Sequence, residues 1–264
     1  MSIAEVSSQT PTSSGEAAAG GPSLAARREE LRELLGSTMV ELKPKLRGWF
    51  HVFSIPVAVI GGLALLVFTP TTEARAAVAV FVFASIMLFS ISATYHRSNG
   101  WVGPKTLAFL QRTDHASITL LIAGTNTPFA VLLLSGNKKW ALLAAVWTAT
   151  LVAVLSKYLL NHPPRWINVP IYIALGWMPI FFIGDLYRGA LSLGPTRGFS
   201  IFLFIVLGGV FYSVGAILFA WRPAWLELKK GVFSYHEVFH LFTVLAFLCH
   251  YVAISLLAYS SAAR

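Results

Sequence analysis

Long stretches without Asp, Glu, Lys or Arg dominate the chain from Gly48 onward. A helix needs about 20 apolar residues to cross a bilayer core of about 30 Å. Seven stretches fit that length or come close to it, at residues 48–72, 76–96, 115–137, 140–156, 166–184, 198–221 and 238–263. The pattern therefore predicts an all-α bundle of seven transmembrane helices, of which the fourth is the shortest. Prolines inside three of these stretches are expected to kink their helices rather than end them, at positions Pro56, Pro128 and Pro179.

The residues before the first apolar stretch have a different composition. Residues 1–22 are rich in Ser, Thr, Ala and Gly, and we predict a disordered tail without a cleavable signal peptide. Ser23 is a suitable N-cap, and the mixed charges that follow it predict a solvated or membrane-surface helix, in a cytoplasmic juxtamembrane segment over residues 23–47. The seven-helix membrane domain is then expected to span residues 48–263.

Composition supports a membrane protein. Hydrophobic residues make up 56% of the chain and charged residues 12%, whereas soluble domains carry roughly 25% charged residues. A chain with so few charges cannot cover a soluble surface, so a bilayer must supply apolar contact, and we expect a multi-pass protein of the cell membrane with membrane lipids as its partners. The net charge of +9 is typical of basic loops beside anionic headgroups, and we expect no nucleic-acid binding.

The distribution of Lys and Arg predicts the orientation, because cytoplasmic loops are enriched in these residues. Seven spans place the N-terminal segment and three of the connections on one side. That side carries 14 of the 20 Lys and Arg residues, and the other side carries 6. We therefore expect a cytoplasmic N-terminus and an external C-terminus.

With this topology, four polar residues are expected at similar depth near the cytoplasmic leaflet. His96 ends the second predicted span, Asp114 directly precedes the third, and His236 and His240 lie at the start of the seventh. His236 and His240 are four residues apart, so both imidazoles project from one face of a helix.

Three neutral imidazoles can hold Zn²⁺ and leave a fourth tetrahedral position for water, as in catalytic zinc sites. The sequence thus predicts a zinc site at His96, His236 and His240. The alternative is that these are partly solvated histidines at the membrane interface.

Asp114 and Ser92 are the candidate catalytic residues beside this site. Asp114 would accept a hydrogen bond from a zinc-bound water or act as a general base. An alternative is a headgroup-level carboxylate paired with Arg112 or Lys105. Ser92 lies one helical turn before His96 and would bond to the groups around the metal, although Ser is also common at close helix contacts in membranes.

Other polar residues near these spans are expected to play lesser parts. His51 and His162 are predicted to lie at the interface, and His115 is predicted to point away from the metal. His250 is about 15 Å beyond His240 along the helix, so we expect it to make a core hydrogen bond. Glu237 should face away from the metal.

Three motifs together resemble a known family. They are Ser92-Ala93-Thr94-Tyr95-His96; Asp114 with Leu121-Ile122-Ala123-Gly124-Thr125-Asn126-Thr127-Pro128-Phe129; and His236-x-x-x-His240. In this order they resemble the hemolysin III family, which belongs with the progestin and adipoQ receptors, including the adiponectin receptors. Arg47-Gly48-Trp49-Phe50-His51 also resembles bacterial members, and the resemblance covers about residues 43–260.

The resemblance implies seven helices with a cytoplasmic N-terminus. It also implies zinc on His96, His236 and His240, with a water molecule bonded to Asp114. Because the wider superfamily includes alkaline ceramidases, the implied chemistry is hydrolysis of a lipid amide.

Two other function classes stay open at this point. One is a receptor or membrane-stress sensor whose zinc is structural. The other is a cytolysin, which the absence of a visible secretion signal disfavours. A retinal-binding protein is disfavoured because the seventh predicted span contains no lysine for a Schiff base.

Overall fold

A computed structural model of the chain describes Arg27 and residues 46–98, 100–159, 165–226 and 232–263. The tail predicted over residues 1–22 lies outside the described residues. So does most of the segment predicted over residues 23–47, of which Arg27 is described as an exposed helical residue.

Seven helical spans, each long and apolar enough to cross a membrane, form the described bundle, which confirms the predicted fold class. The first four are α1 to α4, the fifth combines α5 and α6, and the last two are α7 and α8. Their bounds are α1 Trp49–Phe68, α2 Thr72–Arg97, α3 Pro104–Leu133, α4 Gly136–Leu159, α5 Arg165–Gly176, α6 Ile183–Leu191, α7 Pro195–Trp221 and α8 Tyr235–Tyr259.

The fifth span differs from its prediction. We expected Pro179 to kink a continuous helix, but the α-helix ends at Gly176 and a 3₁₀ segment runs over Met178–Phe182 before α6. Proline lacks the N–H that an α-helix needs at this point, and the tighter 3₁₀ turn accommodates its fixed backbone angle. Pro56 and Pro128, by contrast, lie inside α1 and α3 as predicted.

Asp114 also occupies a different place in its helix than predicted. It does not open the third span, because α3 begins ten residues earlier at Pro104. Ten residues of α-helix correspond to about 15 Å. Asp114 is 8% exposed, so the carboxyl group is buried inside the bundle instead of lying at a helix end.

Small residues bring α2 and α3 close together. A Cβ atom built on Gly124 would lie 2.6 Å from the Cβ of Ala84, closer than real Cβ atoms approach. Membrane helices pack closely through such small residues, because lipid supplies no hydrophobic force between helices. This contact fixes the α3 wall that carries Asp114 against the α2 wall that carries Ser92 and His96.

Replacing Gly124 with alanine should therefore lower the melting temperature of the detergent-solubilised protein, because the new methyl group forces α2 and α3 apart. Gly184→Ala is the matched control, since a Cβ there meets only a flexible arginine end at 3.9 Å. Equal melting temperatures of the two variants in a thermal-shift assay would contradict the proposed close contact.

The orientation of the bundle stays a prediction from the basic residues. A C-terminal alkaline phosphatase fusion should be active, and a C-terminal green fluorescent protein fusion should be dark if it is exported unfolded, because Arg264 is expected outside. The reverse pair of signals in intact cells would show a cytoplasmic C-terminus.

Candidate metal centre

The start of α8 is fixed by a buried carboxylate. Ser234 and Glu237 form a capping box, in which Glu237 Oε2 accepts hydrogen bonds from the Ser234 backbone N–H at 2.8 Å and from the Ser234 hydroxyl at 2.6 Å. Glu237 is fully buried, and its Oε1 accepts a hydrogen bond from Arg47 Nε at 3.1 Å. Its carboxylate is engaged with Ser234 and Arg47 rather than with the histidines, as predicted.

His236 and His240 lie on another face of the same helix, where they meet His96 from the end of α2. The Nε2 atoms of His96 and His236 are 3.3 Å apart. One ligand nitrogen from each of the three histidines can be chosen so that all lie within 4.8 Å of one another. The structure thus brings together the three residues predicted as metal ligands, and as a group they could hold a metal ion.

Three imidazole nitrogens are a donor set that zinc accepts, and one of their separations matches a tetrahedral zinc ion. Two nitrogens bound to Zn²⁺ at 2.0–2.1 Å are about 3.3 Å apart in a tetrahedron, which equals the separation of the His96 and His236 nitrogens. His240 Nε2 is buried and has no hydrogen-bond partner among the described residues. A buried lone pair without a proton donor is costly unless a cation meets it.

His51 is the residue of this centre that the sequence did not predict. It was expected at the membrane interface, but it is 3% exposed and lies beside His240. His240 Nδ1 is 2.9 Å from a ring nitrogen of His51. A proton on His240 Nδ1, donated to His51, leaves His240 Nε2 as the lone pair that a metal requires, so His51 would set the tautomer of a ligand.

Asp114 and Ser92 lie beside the histidines. Asp114 Oδ2 is 3.9 Å from His96 Nε2, and within the described ranges its carboxylate forms no ion pair with Arg112 or Lys105. Ser92 Oγ is buried near the Asp114 carboxyl group, but makes no hydrogen bond of standard geometry with the described residues. The Asp114 position suits contact with a molecule placed between it and the three histidines.

A cavity of about 160 Å³ reaches this centre. Its wall near the centre includes His51, Ser92, Asp114, His236 and His240, and it extends as far as His250. Most of the other residues in its wall are aliphatic or aromatic. The chemistry-bearing groups are therefore at one end of an apolar cavity, within reach of a bound molecule.

Comparison with known proteins gives the family. The model of the family described as haemolysin-III related matches residues 39–251. The chain is 33% identical to Hemolysin-3 of Bacillus cereus over 174 residues, which are 66% of this chain and 71% of that protein. It is 32% identical to a Hemolysin-3 homolog of Bacillus subtilis (strain 168) over 160 residues, 61% of this chain and 67% of the relative. The chain belongs to the hemolysin III family.

Family membership confirms the resemblance seen in the motifs. Together with the seven apolar helices, it makes this hemolysin III family protein a multi-pass integral membrane protein. All three predicted metal ligands and both predicted catalytic residues lie within the matched region, residues 39–251.

His51→Phe should weaken zinc binding roughly 10- to 100-fold, the usual cost of removing a group that orients a metal ligand. Phenylalanine keeps a ring in the buried site but cannot accept the proton of His240 Nδ1. Competition with a chromogenic chelator on purified protein measures this affinity.

His250→Phe is the matched control for this measurement. It makes the same replacement at another buried histidine, about 15 Å along α8 from His240, and should leave the zinc affinity unchanged. Wild-type affinity in His51→Phe would show that His51 does not orient His240.

Proposed function

We propose that this protein is a zinc-dependent hydrolase of a membrane lipid, with an amide as the bond that it cleaves. The observation that carries this proposal is the position of the metal-binding group. His236, His240 and Asp114 line the end of an apolar cavity within a membrane protein, and His96 lies beside the two histidines, so the molecule that reaches this group is one that partitions into lipid.

The chemistry follows from the donor set. When bound, zinc supplies a Lewis acid for a carbonyl oxygen and makes water a competent nucleophile near neutral pH. The imidazoles of His96, His236 and His240 would hold the ion. Asp114 would orient the attacking water, accept its proton and return that proton to the departing amine nitrogen. Ser92 would hold the Asp114 carboxyl group through a hydrogen bond once substrate or water is in place.

A route for lipid entry lies at the interrupted fifth span. Ile180 and Ile183 line the cavity, and they are also 49% and 42% exposed on the outer surface of the bundle. The same short stretch therefore borders the cavity and faces the surrounding acyl chains. The 3₁₀ segment has weaker hydrogen-bond geometry than an α-helix, which makes it a suitable point for a lipid to pass between bilayer and cavity.

The test is release of fatty acid from short-chain and long-chain ceramides by purified, zinc-loaded protein in nanodiscs. Asp114→Asn should lower kcat by about 10²- to 10⁴-fold, because the amide cannot act as a base, while zinc content stays at the wild-type level. His236→Ala should lose both zinc and turnover.

Turnover by the zinc-loaded wild type separates hydrolysis from the alternative function, a receptor or stress sensor with structural zinc. That function predicts no turnover in wild type and a large fall in melting temperature for His96→Ala. Absence of fatty-acid release by the zinc-loaded wild type, or release that persists in His236→Ala, would refute the hydrolase proposal.

A further inference from the structure

The end of the cavity that lies away from the metal centre has a second set of polar groups. Thr125 on α3, Tyr212 on α7 and His250 on α8 all line the cavity. Thr125 Oγ1, the Tyr212 hydroxyl and His250 Nδ1 are buried, and each is without a hydrogen-bond partner in the described part of the chain. We call these three residues the deep polar subsite.

His250 is held in one orientation by α7. Its Nε2 lies 3.2 Å from the carbonyl oxygen of Ile205. A carbonyl can only accept, so Nε2 carries the proton and Nδ1 of the neutral ring is an acceptor. The ring packs directly against Gly208, where even a Cβ atom would overlap it. The fold thus presents an acceptor nitrogen of a side chain that is 7% exposed.

Tyr212 and Thr125 complete the subsite with hydroxyl groups. The Tyr212 ring lies 5.7 Å from the His250 ring, and His250 also contacts Phe129, one helical turn after Thr125. Hydroxyls in these helices commonly bond to a carbonyl of their own helix, as Ser85, Thr119 and Thr127 do. The Thr125 hydroxyl makes no such bond, so its donor and acceptor capacity is available to a molecule in the cavity.

Leaving a polar atom unpaired in an apolar interior is costly. Three such atoms around one cavity point to a partner that supplies both a donor and an acceptor. A hydroxyl group does so with a single oxygen. We propose that Thr125, Tyr212 and His250 bind a hydroxyl group carried on the acyl chain of the lipid.

The position of that hydroxyl along the acyl chain follows from α8, which carries a residue of the metal centre and a residue of the deep polar subsite. His250 is ten residues after His240, or about 15 Å along α8. An extended chain of single bonds advances about 1.2 Å per bond, so the hydroxyl would lie about twelve bonds from the group at the metal centre. This distance rests on the proposed function, which places the polar end of the lipid at the three histidines.

Binding of a matched pair of fatty acids tests the subsite without requiring turnover. Octadecanoic acid and 12-hydroxyoctadecanoic acid would displace a fluorescent fatty acid from the zinc-loaded full-length protein in nanodiscs. Wild type should prefer the hydroxylated acid by about fivefold to tenfold, as expected for one or two net hydrogen bonds.

Tyr212→Phe removes one oxygen with almost no change of shape, so it should fold normally. It should reduce the preference to about twofold and bind octadecanoic acid at least as tightly as wild type, because the unpaired Tyr212 hydroxyl is then absent. His250→Phe should act in the same direction. Tyr251→Phe is the matched control: this phenol lies outside the cavity, donates to Gly61 and should retain the wild-type preference.

The outcomes separate this inference from the hydrolase proposal. A hydroxyl preference that Tyr212→Phe reduces would support the subsite even if no ceramide is cleaved. Equal binding of both acids by wild type, a preference that Tyr212→Phe leaves intact, or no binding of either acid would overturn it, and ordered water alone would then satisfy the three groups. Wild-type zinc content in Tyr212→Phe confirms that the metal centre is unaffected.

Discussion

The buried carboxylate of Glu237 is the constraint on which the metal centre depends. An ion taken out of water must be compensated by charge and hydrogen bonds, and Glu237 obtains these from Ser234 and Arg47. Four residues after Arg47, His51 contacts His240, three residues after Glu237. Two side-chain contacts, Arg47 with Glu237 and His51 with His240, therefore join the start of α1 to the start of α8. They fix the rotation of α8, and with it the direction in which His236 and His240 project toward His96.

The same constraint explains which parts of the centre the sequence predicted. The four-residue spacing alone places His236 and His240 on one helix face. His96 is predicted beside them because the second span ends on the side of the membrane where the seventh span begins. His51 was missed because a histidine at a predicted span boundary is typical of an interfacial position. The available signal was the spacing of Arg47 and His51, a cation and an imidazole four residues apart, which is close to the three-residue spacing of their partners Glu237 and His240. Recognising it requires knowing that the first and seventh spans are neighbours.

Asp114 and Pro179 show where charge-free stretches mislead. The charge-free pattern predicts that a span begins after the last charged residue, but α3 begins at Pro104 and carries Arg112 and Asp114 inside it. Backbone hydrogen bonds decide where a helix begins and ends. The prediction instead used the absence of charged side chains, which indicates where lipid can surround the chain. Pro179 interrupts the fifth span because a 3₁₀ segment tolerates the missing N–H. Asp114 and Pro179 both line the cavity. The two features that the hydropathy pattern misses are therefore features of the site.

The cavity bears on whether the zinc that we propose would be structural or catalytic. Closed structural zinc sites have four protein ligands and no need of access, whereas catalytic sites keep one position open. Here three imidazoles face one another, and the Asp114 carboxylate stands 3.9 Å from His96 Nε2. In the proposed function, Asp114 contacts a molecule in the fourth position and does not fill that position itself. The proposed entry route at the fifth span would let a lipid reach this position through the cavity, whereas a purely structural ion would require no such access.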